Sequence, residues 1–86
     1  MKIEYVEHAK ERMVSRGASE GEVEKVLLSG NEISAKKGRK AKEMVFDYGG
    51  SWIGKSYPQK KVVVIYVEEN NGIIVITVKV FYGQWR

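Results

Sequence analysis

The sequence predicts an α+β fold in which two N-terminal helices pack on a curved, mainly antiparallel four-stranded sheet. Three observations carry that expectation. Residues 7–28 have helical spacing with clear stop and start signals, whereas residues 33–82 are dense in Val, Ile, Tyr and Gly at strand spacing. Charge divides at the same boundary: residues 1–32 carry a net of −2 and residues 33–86 a net of +6. A chain of 86 residues has room for one hydrophobic core, so 1–86 is read as a single domain.

Taken in order, "KIEYV" (2–6) alternates, and is either a lead-in strand or the approach to a helix. Residues 7–16 contain neither Gly nor Pro. At about 100° per residue, Ala9 and Met13 form a narrow apolar stripe, with His8, Arg12 and Arg16 along one flank. Gly17 is placed to stop this helix in the left-handed conformation. Ser19 and Glu22 then make the capping-box pattern S-x-x-E, which opens a second helix through about Leu28 with Val23, Val26 and Leu27 inward.

From Ile33 the signals become strand-like, with an extra short strand near 33–36. "EMVFDY" (43–48) is expected to turn at Gly49–Gly50 into "SWIGKSY" (51–57). "YPQKK" should then turn the chain into "VVVIYV" (62–67), and an Asn71–Gly72 turn should open "IIVITVKVFY" (73–82). These last two runs are so rich in Val and Ile that both faces need cover. Helices would take one face; sheet curvature, the C-terminal residues or a partner would take the other.

Composition removes several kinds of chemistry. Without cysteine there are no disulfides, thiolate zinc sites or cysteine nucleophiles. One histidine and no spaced carboxylate cluster make no metal site, and no motif calls for a cofactor. No serine sits in a nucleophile elbow. No apolar run is long enough for a membrane span, and the N-terminus lacks a signal core, so a cytoplasmic protein is expected.

What remains points to an anionic partner. "KKGRKAK" places Lys36, Lys37, Arg39, Lys40 and Lys42 within seven positions, either as a solvated loop or as phosphate contacts. Aromatic residues interleave with bases through the same half, and Tyr48, Trp52, Tyr82 and Trp85 are expected to stay accessible for base stacking. This inventory permits metal-free phosphoryl transfer within RNA, with Arg and Lys stabilising charge and His, Tyr or Glu moving protons. His8, Arg12 and Arg16 fit either that role or a structural one. As a structural pair, the guanidinium groups of Arg12 and Arg16 would bridge the helix to strand carbonyls or to carboxylates such as Glu43 or Asp47, with Arg16, beside the apolar stripe, the stronger candidate for burial.

"HAKERMVSRGASEGEVEKVLLSG" followed by "YVEENNGIIVITV" resembles the family called domain of unknown function 4258. The pattern H-A-x-x-R-M-x-x-R-G is met at His8, Ala9, Arg12, Met13, Arg16 and Gly17; Ala18 stands where the family commonly has an aliphatic residue. That family is similar in layout to the RelE/ParE/BrnT toxins. The resemblance implies a toxin-like fold and a metal-free ribonuclease acting on messenger RNA or the ribosome, with an antitoxin as protein partner. On that reading His8, Arg12, Arg16 and Tyr82 are catalytic. Lys36, Lys37, Arg39, Lys40, Lys42, Trp52, Lys55, Lys79 and Arg86 bind RNA. The C-terminal "KVFYGQWR" offers no histidine, a departure from catalytic members. The alternatives are a non-catalytic module binding nucleic acid or protein, and an inactive toxin relic.

Overall fold

The computed structural model describes residues 2–85. Strand β1 (Lys2–Tyr5) leads into helix α1 (Glu7–Arg16) and helix α2 (Glu20–Ser29). Strands β2 (Asn31–Ile33), β3 (Lys40–Trp52), β4 (Lys55–Glu69) and β5 (Gly72–Gly83) follow. They form one five-stranded sheet in the order β1-β5-β4-β3-β2. The class remains α+β, but the expected four-stranded, mainly antiparallel sheet is replaced by a mixed sheet of five. "KIEY" supplies the difference: it pairs parallel to β5, from Lys2 opposite Gly72 to Tyr5 opposite Val75. The extra strand lies at 31–33 rather than 33–36 and pairs antiparallel with β3.

The helices form for local reasons. Gly17 adopts φ +82° and its N–H, like that of Ala18, reaches the Met13 carbonyl at 2.9 Å. Ser19 and Glu22 complete a reciprocal capping box: Glu22 N–H donates to Ser19 Oγ at 3.1 Å, and Ser19 N–H to Glu22 Oε1 at 3.0 Å. At the far end of α2, Lys42 Nζ donates to the Leu27 carbonyl at 2.8 Å, where a helix leaves acceptors unmet.

The strand boundaries differ from the sequence expectation at three places. Gly49–Gly50 is no hairpin turn; the register of β3 on β4 shifts between Asp47 and Gly50, a bulge inside one long strand. The turn lies at Ile53–Gly54, both at positive φ, closing Trp52 onto Lys55. "YPQKK" runs on as strand, because Pro58 falls between Tyr57 and Gln59, opposite the bulge, where no ladder N–H is required. The last turn uses Asn70 and Asn71 at φ 46° and 65°, with Gly72 already in β5 opposite Glu69.

Both helices cover one face of the sheet. Ala9, Met13, Val23, Val26 and Leu27 meet Val62, Val64, Tyr66, Val75 and Val78 there. Each fully buried valine contributes about 1.5–2 kcal/mol. Directly opposed residues share a face, so the rows Ala41–Ile65–Thr77, Glu43–Val63–Lys79 and Val45–Lys61–Phe81 line the face without helices.

Candidate nucleic-acid interface

At the end of α1, polar groups on the helix side are used internally. Arg16 extends from the last turn of α1 and donates from Nη1 to the Val78 carbonyl of β5 at 3.0 Å. Tyr82 donates its hydroxyl to the Arg16 carbonyl at 2.7 Å. Lys60, 7% exposed, donates to the Gly17 carbonyl at 2.7 Å and to Glu22 Oε1 at 2.8 Å. Together these three side chains tie the turn between α1 and α2 to β4 and β5.

Aromatic rings close the same corner. Trp52 stacks on Tyr82 with centroids 4.8 Å apart and planes at 15°. Tyr48 and Tyr57 lean on Tyr82 at 5.1 and 5.8 Å. Burial pushes the Tyr82 phenol above its ordinary pKa, and Tyr48 and Glu22 add to the rise. A phenol that is already donating and resists ionising is poorly placed to accept a proton.

His8 and Arg12 remain on the outer flank of α1. Arg12 Nε donates to His8 Nε2 at 3.4 Å, one turn apart. The structure therefore divides His8, Arg12, Arg16 and Tyr82 between a pair on the outer flank of α1 and a pair that ties helix to sheet.

The basic segment divides as well. Lys40 is paired with Glu68, which raises the lysine pKa and lowers that of the carboxyl through their hydrogen bond and charge attraction. Lys42 caps α2. Trp52 belongs to the aromatic corner, and Lys55 stands opposite it at the far β3–β4 turn. Lys37 is exposed at the tip of the β2–β3 loop. Arg86 lies outside the described residues.

Three of the named cations converge. The loop between β2 and β3 makes a turn in which Arg39 N–H reaches the Lys36 carbonyl at 3.0 Å, with Gly38 at φ +84°. This brings Lys36 and Arg39 beside Lys79 in a groove of about 530 Å³ on the helix-free face, floored by Ile65 and Thr77 and flanked by Ser34 and Ala35. Among the described residues no carboxylate forms an ion pair with any of the three. Beyond Lys79, the next residue on the same face of β5 is Phe81, which stands opposite Lys61 across the ladder.

Lys60 and Lys61 were not among the sequence candidates. Their neighbours Val62–Val67 carry a strand signal, and alternation alone places Lys60 and Lys61 on opposite faces. Which of them is buried depends on where the helices lie, information held far away in the chain.

Residues 5–80 match the family model described as a domain of unknown function (DUF4258). No curated protein matches the chain, and no solved structure does.

Proposed function

The chain belongs to the family of the domain of unknown function (DUF4258), and we propose that it is a nucleic-acid-binding module that works without turnover. The observation that carries this reading is the convergence of Lys36, Arg39 and Lys79 in one groove, none of them in an ion pair among the described residues. Three cations outside any ion pair, beside an apolar floor, suit phosphates with sugar or base attached, and each phosphate contact releases counterions. Support for binding without turnover comes from the other face. The Arg16 guanidinium and Tyr82 hydroxyl hold the helix to the sheet, and α1 lies across the sheet from the groove.

The ribonuclease reading, with its likeness to the RelE/ParE/BrnT toxins, keeps one support. The His8–Arg12 contact sets an imidazole beside a guanidinium at the surface. One experiment scores both readings. A labelled single-stranded RNA of twelve nucleotides is titrated with protein by anisotropy from 50 to 300 mM salt, and the same mixtures are run on a denaturing gel.

The binding reading expects log K to fall against log salt with a slope of about −2, from three contacts at about −0.7 each. The triple variant Lys36→Ala/Arg39→Ala/Lys79→Ala should flatten that slope toward zero, and the RNA should stay intact. Wild-type binding that the triple variant leaves unchanged sinks the groove. Cleavage that disappears in His8→Ala replaces the module with an enzyme.

A further inference from the structure

Beyond the cationic groove, the same face carries a second feature. Phe81 and Trp85 are 48% and 39% exposed, whereas the rings on the helix side lie against one another. Lys61 Nζ sits 5.9 Å from the Phe81 centroid and 5.2 Å from that of Trp85. The same ammonium is 4.0 Å from Glu43. One cation thus steadies two exposed rings, and its own charge is partly met.

Trp85 is held at its backbone too. Its N–H donates to Gln59 Oε1 at 2.7 Å. Its ring lies over Gly83, where an added Cβ would come within 3.4 Å of Trp85 Cη2. The indole therefore lies against the strand at van der Waals distance. An exposed indole fixed in this way loses little freedom when a flat partner covers it.

Position completes the argument. Thr77, Lys79 and Phe81 are successive residues on the helix-free face of β5, spaced about 7 Å apart. The rings therefore begin one step beyond the phosphate-binding cations. We propose that Phe81 and Trp85, with Lys61 between them, form a ledge that seats one unpaired nucleobase, so that the module selects single-stranded over duplex nucleic acid. This rests on the nucleic-acid reading of the groove. A duplex keeps its base faces stacked inside and presents phosphates alone to such a site, whereas a single strand offers both phosphate and base face. An acidic peptide would satisfy the cations and leave the rings unused.

The test compares four probes by anisotropy or competition: a twelve-nucleotide RNA, the same sequence as a duplex, inorganic polyphosphate and poly-glutamate. Trp85→Ala should weaken the single strand about tenfold, the scale of one base–aromatic stack, and leave duplex and polyphosphate unchanged. Trp85→Phe should recover most of the loss, and Phe81→Ala should reproduce part of it. In wild type, RNA should quench tryptophan emission. In Trp85→Phe the remaining emission, from Trp52 on the other face, should not respond.

Far-UV circular dichroism of Trp85→Ala guards against misfolding. Equal losses for RNA and polyphosphate, or none for RNA, overturn the ledge and leave the groove standing. Failure of RNA and duplex alike to bind overturns the groove reading itself. Tighter binding of poly-glutamate than of RNA replaces the nucleic acid with an acidic protein.

Discussion

Gly17→Ala tests the corner at which the helices meet the sheet. Gly17 and Gly38 share almost the same backbone, φ +82° and +84°, but not the same surroundings. A Cβ on Gly17 would lie 2.7 Å from the Tyr82 hydroxyl and 3.3 Å from Trp52 Cζ3; one on Gly38 would meet nothing within 4 Å. At either position alanine costs about 1–2 kcal/mol for the left-handed conformation, offset by about 0.4–1 kcal/mol from a stiffer unfolded chain. Gly38→Ala should therefore cost below about 1.5 kcal/mol. Gly17→Ala must also push Tyr82 off the Arg16 carbonyl, about 1 kcal/mol, and disturb its stack on Trp52, about 0.5–1.5 kcal/mol. The total is about 2–4 kcal/mol, or a fall in Tm of about 10 °C or more for a domain of this size. Urea titration followed by circular dichroism measures both variants. Tyr82→Phe removes the obstructing oxygen, so Gly17→Ala should cost about 1 kcal/mol less in that background. Equal costs at Gly17 and Gly38, or no coupling to Tyr82, would refute the reasoning.

The same urea titration checks three further expectations. Arg16→Ala should cost about 1–2 kcal/mol through its bond to the Val78 carbonyl, and Arg12→Ala, half-buried on the flank of α1 with His8 as its hydrogen-bond partner, less, under about 1 kcal/mol. Glu22→Ala should destabilise more than Lys60→Met, because the first leaves a buried ammonium with only the Gly17 carbonyl while the second replaces it with an apolar chain; the reverse order would show that the pair is not held dry. The Tyr82 and Tyr66 phenols, raised by burial above the ordinary 10.0, keep their protons when the unfolded chain loses them. Their contribution is whole below about pH 10 and is lost as pH rises through the folded values. Midpoints measured from pH 8 to 11 should decline above 10, less steeply in Tyr82→Phe.

How much of this was legible followed the range of each signal. Gly17, Ser19 and Glu22 act within four residues, so both helices could be placed from the chain alone. The strands could not, because Gly49–Gly50 and Ile53–Gly54 are both plausible turns until β4 fixes the register. An isoleucine at φ 49° is an unfavourable turn residue that only the hairpin as a whole can impose. The parallel pairing of β1 with β5 joins residues about seventy positions apart, and no local pattern encodes it. The site shows the same limit. The basic run marked a real loop, yet Lys40 and Lys42 leave it for Glu68 and the Leu27 carbonyl, partners set by sheet order.

Strand alternation connects the helix motif to the groove. On β5, Val78 and Tyr82 point toward the helices, and both are fastened to the end of α1: Val78 through its carbonyl to Arg16, Tyr82 through its hydroxyl to the Arg16 carbonyl. Of the residues between them, Lys79 and Phe81 point the opposite way, onto the helix-free face, while Val80 joins the core. The parallel partner β1 pairs with β5 only as far as Val75, so beyond that point the strand has a ladder on one side alone. Arg16 and Tyr82 therefore grip β5 where its backbone is least supported, and that stretch carries Lys79 and Phe81. "SRG" can serve the proposed binding face without touching it, by keeping the spacing of the residues behind it. Arg16→Ala should then weaken RNA binding modestly while leaving the salt slope near −2, since no phosphate contact is removed; a slope that falls by a whole contact would instead place Arg16 against the nucleic acid.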